Sequence, residues 1–193
     1  MSTRATSRFT SIGHSNRGLE EFVGMLTAAR IELLVDVRSF PMSRSNPVFN
    51  IDQLPEKLAQ AGILYRHMRT LGGRRKKQPG VDPDLNAMWR VQAFHNYADY
   101  ALGEEFAAAF TQLLELGNEH RLAIMCSEAL WWRCHRRIVV DYLLAAGHAV
   151  DHLMGAGQTD PATMTAGAKI VGGKVLYPAD DAGTRLSPQL PLL

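Results

Sequence analysis

The chain has 193 residues, of which 46% are hydrophobic and 21% are charged. This composition excludes a disordered or low-complexity protein, and the length suits a single domain over residues 1–193 with a sizeable core. The formal net charge of +2 excludes a protein that coats nucleic acid by bulk electrostatics, so any anion binding has to be local.

In the first half of the chain, short apolar runs alternate with segments of helical period. This alternation is typical of β-α units around a parallel sheet. It predicts strands at Phe9–Gly13, Leu33–Val37 and Ile63–Met68, with a helix between the first two. A further helix is predicted from about Asp52 to Ala61, ending at Gly62 because glycine readily adopts the left-handed conformation that stops a helix.

The second half of the chain continues the alternation. Asp82 can cap a helix that begins at Pro83, and the region to Leu116 has the period of one or two helices interrupted at Gly103. The last ten or so residues are rich in Pro and Leu and indicate a docked or frayed tail. The remaining predicted elements are a strand at Leu122–Cys126, a helix from about Ala129 to Ala146, a strand at Ala149–Leu153, and a hairpin formed by Lys169–Val171 and Lys174–Tyr177 around Gly172 and Gly173.

Together these elements predict an α/β fold in a single domain. A mostly parallel sheet is flanked by helices in Rossmann-like layering, and a small C-terminal hairpin is added to it. Residues 1–8 are polar and lack an apolar signal core, and no stretch approaches the roughly eighteen apolar residues of a membrane helix. Cys126 and Cys134 are too few for a disulfide framework and are expected to be reduced. We therefore expect a cytoplasmic protein with no membrane partner, and the oligomeric state stays open.

Polar and reactive residues follow each predicted strand. In an open parallel sheet, ligands bind beyond the carboxyl ends of the strands, where loops and helix N-termini converge. His14 and Ser15 follow the first strand, Arg38 and Arg44 follow the second, and Arg74 lies in the loop after the third. Because arginine binds phosphate in a bidentate manner, these positions predict an anion site. The predicted substrate-binding residues are Ser15, Arg38, Arg44, Arg74 and Arg136.

The segment that begins at Cys126 carries the strongest chemical signal. A helix directly after the strand, capped by Ser127, would place the Cys126 thiol beside unpaired helix N–H groups, which stabilise a thiolate. A nearby acid or base would complete a site for nucleophilic catalysis. The alternative is that Cys126 is a small hydrophobic residue at the end of a buried strand. The predicted catalytic residues are Cys126, Glu128, His14 and His135.

The second cysteine is predicted to be structural. Cys134 shares a helical stripe with Leu130, Ile138 and Tyr142 and is expected to face the core. Cys126, Cys134, His135 and His14 are residue types that could bind a metal ion. Neighbouring residues on a helix diverge by about 100°, however, and the chain has no Cys-x-x-Cys pair, which argues against such a site. The sequence therefore predicts neither a metal nor a cofactor.

Six positive charges lie within twelve residues that begin in the third strand and continue through the loop after it, with no acidic residue among them. Such a run can bind phosphate or nucleic acid, or it can be a solvated loop. The six are Arg66, Arg69, Arg74, Arg75, Lys76 and Lys77.

Several separated motifs resemble the bacterial family catalogued as domain of unknown function 488, over roughly residues 9–178. The motifs are Ile12-Gly13-His14-Ser15, Asp36-Val37-Arg38-Ser39 with Pro41 and Arg44, Leu71-Gly72-Gly73, Tyr97-Ala98-Asp99-Tyr100, Cys126-Ser127-Glu128, Cys134-His135-Arg136, Gly172-Gly173 and Tyr177-Pro178. The family carries no established reaction, so the resemblance strengthens the site and leaves its chemistry open. It implies functional positions at His14, Ser15, Asp36, Arg38, Arg44, Cys126, Glu128, Cys134, His135 and Arg136.

Two functions fit these observations. The first is an enzyme, a hydrolase or a transferase, that acts on a nucleotide, a nucleic acid or another phosphorylated compound with Cys126 as the reactive thiol. The second is a non-catalytic nucleotide-binding or nucleic-acid-binding module with structural cysteines. The Cys-x5-Arg loop of protein phosphatases is absent, because the first arginine after Cys126 is Arg133. A Gly-rich phosphate-binding motif of nucleotide hydrolases is absent as well.

Overall fold

Six strands form the central sheet of the protein, whose computed structural model describes residues 9–179. The spatial order is β3-β2-β4-β1-β5-β6; the first five strands run parallel, and β6 is antiparallel to β5. The strands are β1 Phe9–Gly13, β2 Leu33–Asp36, β3 Leu64–His67, β4 Leu122–Cys126, β5 Val150–Gly155 and β6 Gln158–Pro161.

Helices cover both faces of this sheet. Side chains of the first two helices pack in one apolar cluster, and side chains of the last three pack in another on the opposite face. Within residues 9–179, no helix combines the length and the apolar composition needed to cross a membrane. The helices are α1 Leu19–Ala28, α2 Leu54–Gln60, α3 Gln92–Ala101, α4 Glu104–Glu119 and α5 Arg136–Ala145, and a hairpin of β7 Lys169–Val171 and β8 Lys174–Leu176 follows.

The side chains of β4 show how the sheet contributes to both cores. Leu122, Ile124 and Cys126 point to the face of α3, α4 and α5, whereas Ala123 and Met125 point to the face of α1 and α2. All five are buried, as expected for a strand with helices on both sides. The alternation places the Cys126 thiol at the end of the strand on the face that α5 covers.

The α/β fold predicted from the sequence is confirmed. The hairpin is also confirmed, with φ angles of 55° at Gly172 and 78° at Gly173. At Pro83 the structure has a short 3-10 helix, Pro83–Asn86, in place of a longer helix, although Asp82 caps it as expected. The antiparallel strand β6 was not predicted, and the predicted C-terminal tail lies outside the described residues.

The strand order creates a crevice at one edge of the sheet. The chain passes from β1 to β2 and leaves room for one strand between them, which β4 fills later. The chain adds β2 and β3 on one side of β1 and later adds β5 on the other side. Such a change in winding direction separates the loops at the carboxyl ends of the strands. The carboxyl ends of β1, β2 and β4 are therefore neighbours around one opening.

Glycines in two helices provide a test of this packing. A Cβ atom at Gly117 in α4 would collide with the ring of Phe9 on β1, whereas a Cβ atom at Gly24 in α1 meets nothing within 4 Å. Gly117→Ala should lower the free energy of unfolding by about 1–3 kcal/mol because of overpacking. Gly24→Ala should raise it by up to about 1 kcal/mol through helix propensity. Urea denaturation of both variants measures the difference, and equal effects would contradict the packing of α4 on β1.

Candidate active site

A cavity of about 510 Å³ opens at the carboxyl ends of β1, β2 and β4. Its wall combines cationic, thiol, imidazole and carboxylate side chains with the apolar side chains of Phe40, Met42, Ala93 and Phe94. This combination is typical of a site that binds an anionic ligand with an apolar part. The polar and reactive residues of the wall are His14, Arg38, Ser39, Ser43, Arg74, Cys126, Ser127, Glu128, Arg133, Cys134 and His135.

Arg38, which lines the cavity, forms a buried ion pair with Asp36. The Arg38 guanidinium donates from Nε to Asp36 Oδ1 at 2.9 Å and from Nη2 to Oδ2 at 2.6 Å. Nη2 also donates to the Phe49 carbonyl at 2.7 Å, and the Tyr65 hydroxyl donates to Asp36 at 2.7 Å. Most of the donors of Arg38 are therefore used within the protein.

His14 holds this guanidinium from the side of β1. Because Arg38 Nη1 can only donate, His14 Nε2 accepts its hydrogen bond at 3.1 Å, and His14 Nδ1 then donates to the Ser15 carbonyl at 2.9 Å. Burial is the largest of the causes that lower the pKa of His14, and the charge of Arg38 acts in the same direction. In this arrangement His14 is neutral and has both nitrogens engaged, which fits positioning of Arg38 better than proton transfer.

The turn after β4 differs from the predicted helix start. No helix begins at Ser127 or Ala129; a short 3-10 helix covers Trp131–Arg133, and α5 begins only at Arg136. The Arg136 guanidinium, 1% exposed, donates to the carbonyls of Glu128 and Ala129, which a helix would need as acceptors for its own N–H groups. Arg136 thus holds the turn open, and the predicted cap at Ser127 is wrong.

The open turn brings both cysteines to one imidazole. His135 Nδ1 lies 3.9 Å from the Cys126 sulfur and 3.6 Å from the Cys134 sulfur. His135 Nε2 lies 3.1 Å from the Val37 carbonyl, which can only accept, so Nε2 carries a hydrogen. Cys134 was predicted to lie inside a helix. It is buried as expected, but it precedes α5 in an extended conformation with φ −127°.

The two thiols have opposite protonation preferences. A hydrogen bond from Cys134 lowers the pKa of the Cys126 thiol well below its ordinary value, and His135 and Arg136 act in the same direction against burial. Burial raises the pKa of the Cys134 thiol well above its ordinary value, and the neighbouring Cys126 adds to this effect. The site therefore favours one thiolate at Cys126 and one thiol at Cys134.

Cys126, Cys134 and His135 could also hold a metal ion, because their ligand atoms all lie within 4.8 Å of one another. The divergence of neighbouring side chains on a helix does not prevent this cluster, because Cys134 and His135 precede α5. Three ligands with an open position are a pattern of catalytic zinc sites. The positive charge of Arg38 and Arg136 beside the cluster opposes a divalent cation and favours a thiolate anion.

Glycines allow the loops of the site to approach each other closely. A Cβ atom at Gly13 would collide with the Glu128 carbonyl, and one at Gly73 would collide with the His135 ring. The loop after β3 is in this way pressed against His135, and it carries Arg74 to the rim of the cavity. Close packing therefore explains why the motifs Ile12-Gly13-His14-Ser15 and Leu71-Gly72-Gly73 have glycine at these positions.

The remaining predicted site residues differ in their positions. Glu128 lines the cavity with an exposed side chain, whereas Arg44 is exposed and is not part of the wall. Ser15 is half-buried with φ 47°, and its carbonyl binds His14. Arg136 supports the turn from within the core, so the structure brings it beside the site without placing it on the wall.

Sequence reasoning missed Phe40 and gave Arg133 no role in binding, although both are on the cavity wall. Phe40 is 56% exposed, and the guanidinium groups of Arg69 and Arg74 lie 5.7 Å and 5.3 Å from its ring centroid. An exposed aromatic ring in a loop leaves no periodic signal in the sequence. The run of six positive charges from Arg66 to Lys77 was the only available indication that cations meet an aromatic ring here.

The fold and the cavity define an α/β protein with a cysteine and arginine site at the carboxyl edge of its parallel sheet. Residues 18–143 match a family model described as Domain of unknown function DUF488, so the chain belongs to this family. The matched range includes Arg38, Cys126 and His135, whereas His14 precedes it. Searches of curated proteins and of solved structures found no match.

The buried ion pair can be tested by removing one charge. Asp36→Asn leaves the Arg38 guanidinium, 5% exposed, without a counter-ion, and should lower the free energy of unfolding by about 3–5 kcal/mol. Tyr65→Phe removes only the hydroxyl bound to Asp36 and should cost about 0.5–1.5 kcal/mol. Denaturant unfolding compares the two variants, and a loss for Asp36→Asn no larger than that for Tyr65→Phe would refute the role of the pair.

Proposed function

We propose that this protein is an enzyme, a hydrolase or a transferase, that acts on a nucleotide, a nucleic acid or another phosphorylated compound bound in the cavity. Cys126 is the reactive thiol. The observation that carries the proposal is that Cys126, Arg74 and Arg133 line one cavity at the carboxyl edge of a parallel sheet.

The anion is bound by the arginines that are not already used by the protein. Arg38 is paired with Asp36, but Arg74 and Arg133 have exposed side chains with no carboxylate within ion-pair distance among residues 9–179. Guanidinium groups bind phosphate through paired N–H groups. Arg74 and Arg133 are therefore the principal phosphate ligands, with Arg38 contributing its remaining Nη1 hydrogen.

Cys126 supplies the nucleophile. Its sulfur forms a bond to the electrophilic atom of the substrate, and the bond from that atom to the leaving group breaks. Glu128 lines the same cavity and exchanges protons with the leaving group and with the water or acceptor that later displaces the sulfur. His135, hydrogen-bonded to the Val37 carbonyl, holds its other nitrogen towards Cys126 and assists the same proton transfers.

The second candidate is a non-catalytic module that binds a nucleotide or nucleic acid. The specific observation in its favour is the exposed Phe40 ring beside Arg69 and Arg74 at the rim of the cavity. An aromatic ring can stack on a base while arginines bind the adjacent phosphates. In this case the cysteines are structural and the wild-type protein forms no product from the ligand that it binds, which separates the two candidates.

The reactivity of the thiols tests the proposed nucleophile. Because the pKa of Cys126 is lowered well below its ordinary value, its labelling by iodoacetamide should change less between pH 7 and pH 9 than that of an ordinary thiol. Labelling of Cys134, whose pKa is raised, should be slower and should increase with pH over this range. Mass spectrometry of the native protein, with Cys126→Ser as the control that lacks the fast site, measures both rates. If Cys134 is labelled first, or if neither thiol is labelled without denaturant, Cys126 is not the nucleophile.

Binding and turnover can be tested separately. Arg74→Gln and Arg133→Gln should each weaken binding of a fluorescent single-stranded oligonucleotide about tenfold to a hundredfold, the loss of a charged hydrogen bond, with a shallower salt dependence. Lys77→Gln is the matched control, because Lys77 belongs to the same basic run but is not on the cavity wall. An equal loss in Lys77→Gln would place binding on the loop surface and not in the cavity.

Turnover is measured as product formation from a panel of phosphorylated compounds. Cys126→Ser should retain oligonucleotide binding and lose product formation. A Cys126→Ser variant as active as the wild-type protein would refute Cys126 as the nucleophile, whereas a wild-type protein that binds the oligonucleotide but forms no product would favour the binding module.

A further inference from the structure

Two buried sulfurs lie beside one imidazole nitrogen in this site. Cys126 and Cys134 are 6% and 3% exposed, both line the cavity, and His135 Nδ1 lies within 3.9 Å of each sulfur. A nucleophilic thiol needs no second cysteine, so the proposed reaction uses Cys134 only as a hydrogen-bond donor to the Cys126 sulfur. An adjacent thiol and a shared base are the parts of a thiol–disulfide pair.

We propose that Cys126 and Cys134 form a reversible intramolecular disulfide on reaction with a hydroperoxide, with Cys126 as the attacking thiol and Cys134 as the resolving thiol. This inference rests on the proposed function in one respect, that Cys126 is the reactive thiolate. It deepens that function by assigning a redox state to the same site.

The reaction consumes one hydroperoxide and two thiols. The Cys126 thiolate attacks one peroxide oxygen, an S–O bond forms and the O–O bond breaks, and the departing oxygen leaves as water or alcohol after it takes a proton from solvent. Cys126 is then a sulfenic acid. The Cys134 sulfur attacks the Cys126 sulfur, an S–S bond forms, and the S–O bond breaks. His135 transfers the Cys134 proton to the departing hydroxide, which leaves as water. The two sulfurs have lost two electrons, which reduce the peroxide.

The backbone around the pair permits this closure. The two sulfurs lie within 4.8 Å, and a disulfide brings them to about 2.05 Å. The segment between them is a turn with one short 3-10 helix, Trp131–Arg133, and Cys134 lies outside α5. Side-chain rotation and a small shift of this turn can close the distance, whereas the helix predicted from the sequence would have resisted it.

The surrounding charges favour this chemistry. Arg136 stabilises a thiolate at Cys126 without occupying its sulfur, since its Nη atoms bind the carbonyls of Glu128 and Ala129. A disulfide would remove the thiolate from the cavity and stop the proposed reaction until a thiol reductant restores it. It would also protect Cys126 from irreversible oxidation beyond the sulfenic acid.

Peptide mapping after mild oxidation tests the inference on the native chain. The protein is treated with one equivalent of hydrogen peroxide, alkylated, and digested with trypsin, which separates the two cysteines by cutting after Arg133. We expect a disulfide that joins the peptide of Cys126 to the peptide of Cys134, the loss of both free thiols, and recovery with dithiothreitol. Cys134→Ser should stop at a sulfenic acid on Cys126 that dimedone traps. In Cys126→Ser, oxidation of Cys134 should be at least about tenfold slower than that of Cys126 in the wild-type protein, because a protonated thiol is a poor nucleophile.

Each other outcome overturns the inference in a distinguishable way. Oxidised Cys126 without the crosslink would refute the resolving role of Cys134 but leave the proposed reactive thiolate intact. A crosslink between two chains, seen on a non-reducing gel, would refute the intramolecular pair. Thiols that react with neither peroxide nor iodoacetamide would refute both proposals. Thiols that react only after a chelator removes a bound divalent ion would assign the three residues as metal ligands instead.

Discussion

The buried pair of Asp36 and Arg38 joins three parallel strands at the edge where the cavity opens. Asp36 ends β2, Tyr65 on β3 donates to the same carboxylate, and His14 after β1 accepts from the guanidinium. Two charges removed from water are tolerated only with such complete hydrogen bonding, and loss of either partner would leave the other unpaired. The position of the loops around the cavity therefore depends on this pair.

The arginines of the site form two groups, which differ in whether their N–H groups already donate to other residues of the protein. Arg38 and Arg136 are buried and donate hydrogen bonds within the protein, Arg38 to the Asp36 carboxylate and Arg136 to the turn after β4. Arg74 and Arg133 are exposed on the cavity wall and are available to a ligand. The local positive potential thus comes from a few placed guanidinium groups, which agrees with a formal net charge of only +2.

Much of the fold was predictable because its signals are local. The apolar run of β4, the left-handed glycine at Gly62 and the glycine pair of the hairpin act within a few residues, and the structure has each of them where the sequence indicated. The turn after β4 was not predictable. Trp131 stacks on His152 of β5 with ring centroids 4.3 Å apart, and Arg136 binds two carbonyls of the turn. Both contacts stabilise an open turn at the position where the local sequence favours a helix.

By itself the sequence determined the layered α/β architecture and the set of reactive residues that follow the strands, because periodicity and strand exits are read along the chain. Only the tertiary structure decided that β4 lies between β1 and β2, which brings Cys126 beside the ion pair of Arg38. It also decided that Cys134 and His135 meet Cys126, since the turn before α5 is held by Trp131 against His152 of β5 and by Arg136 on the carbonyls of Glu128 and Ala129. Strand order and helix start depend on packing between segments far apart in sequence, which no local pattern encodes.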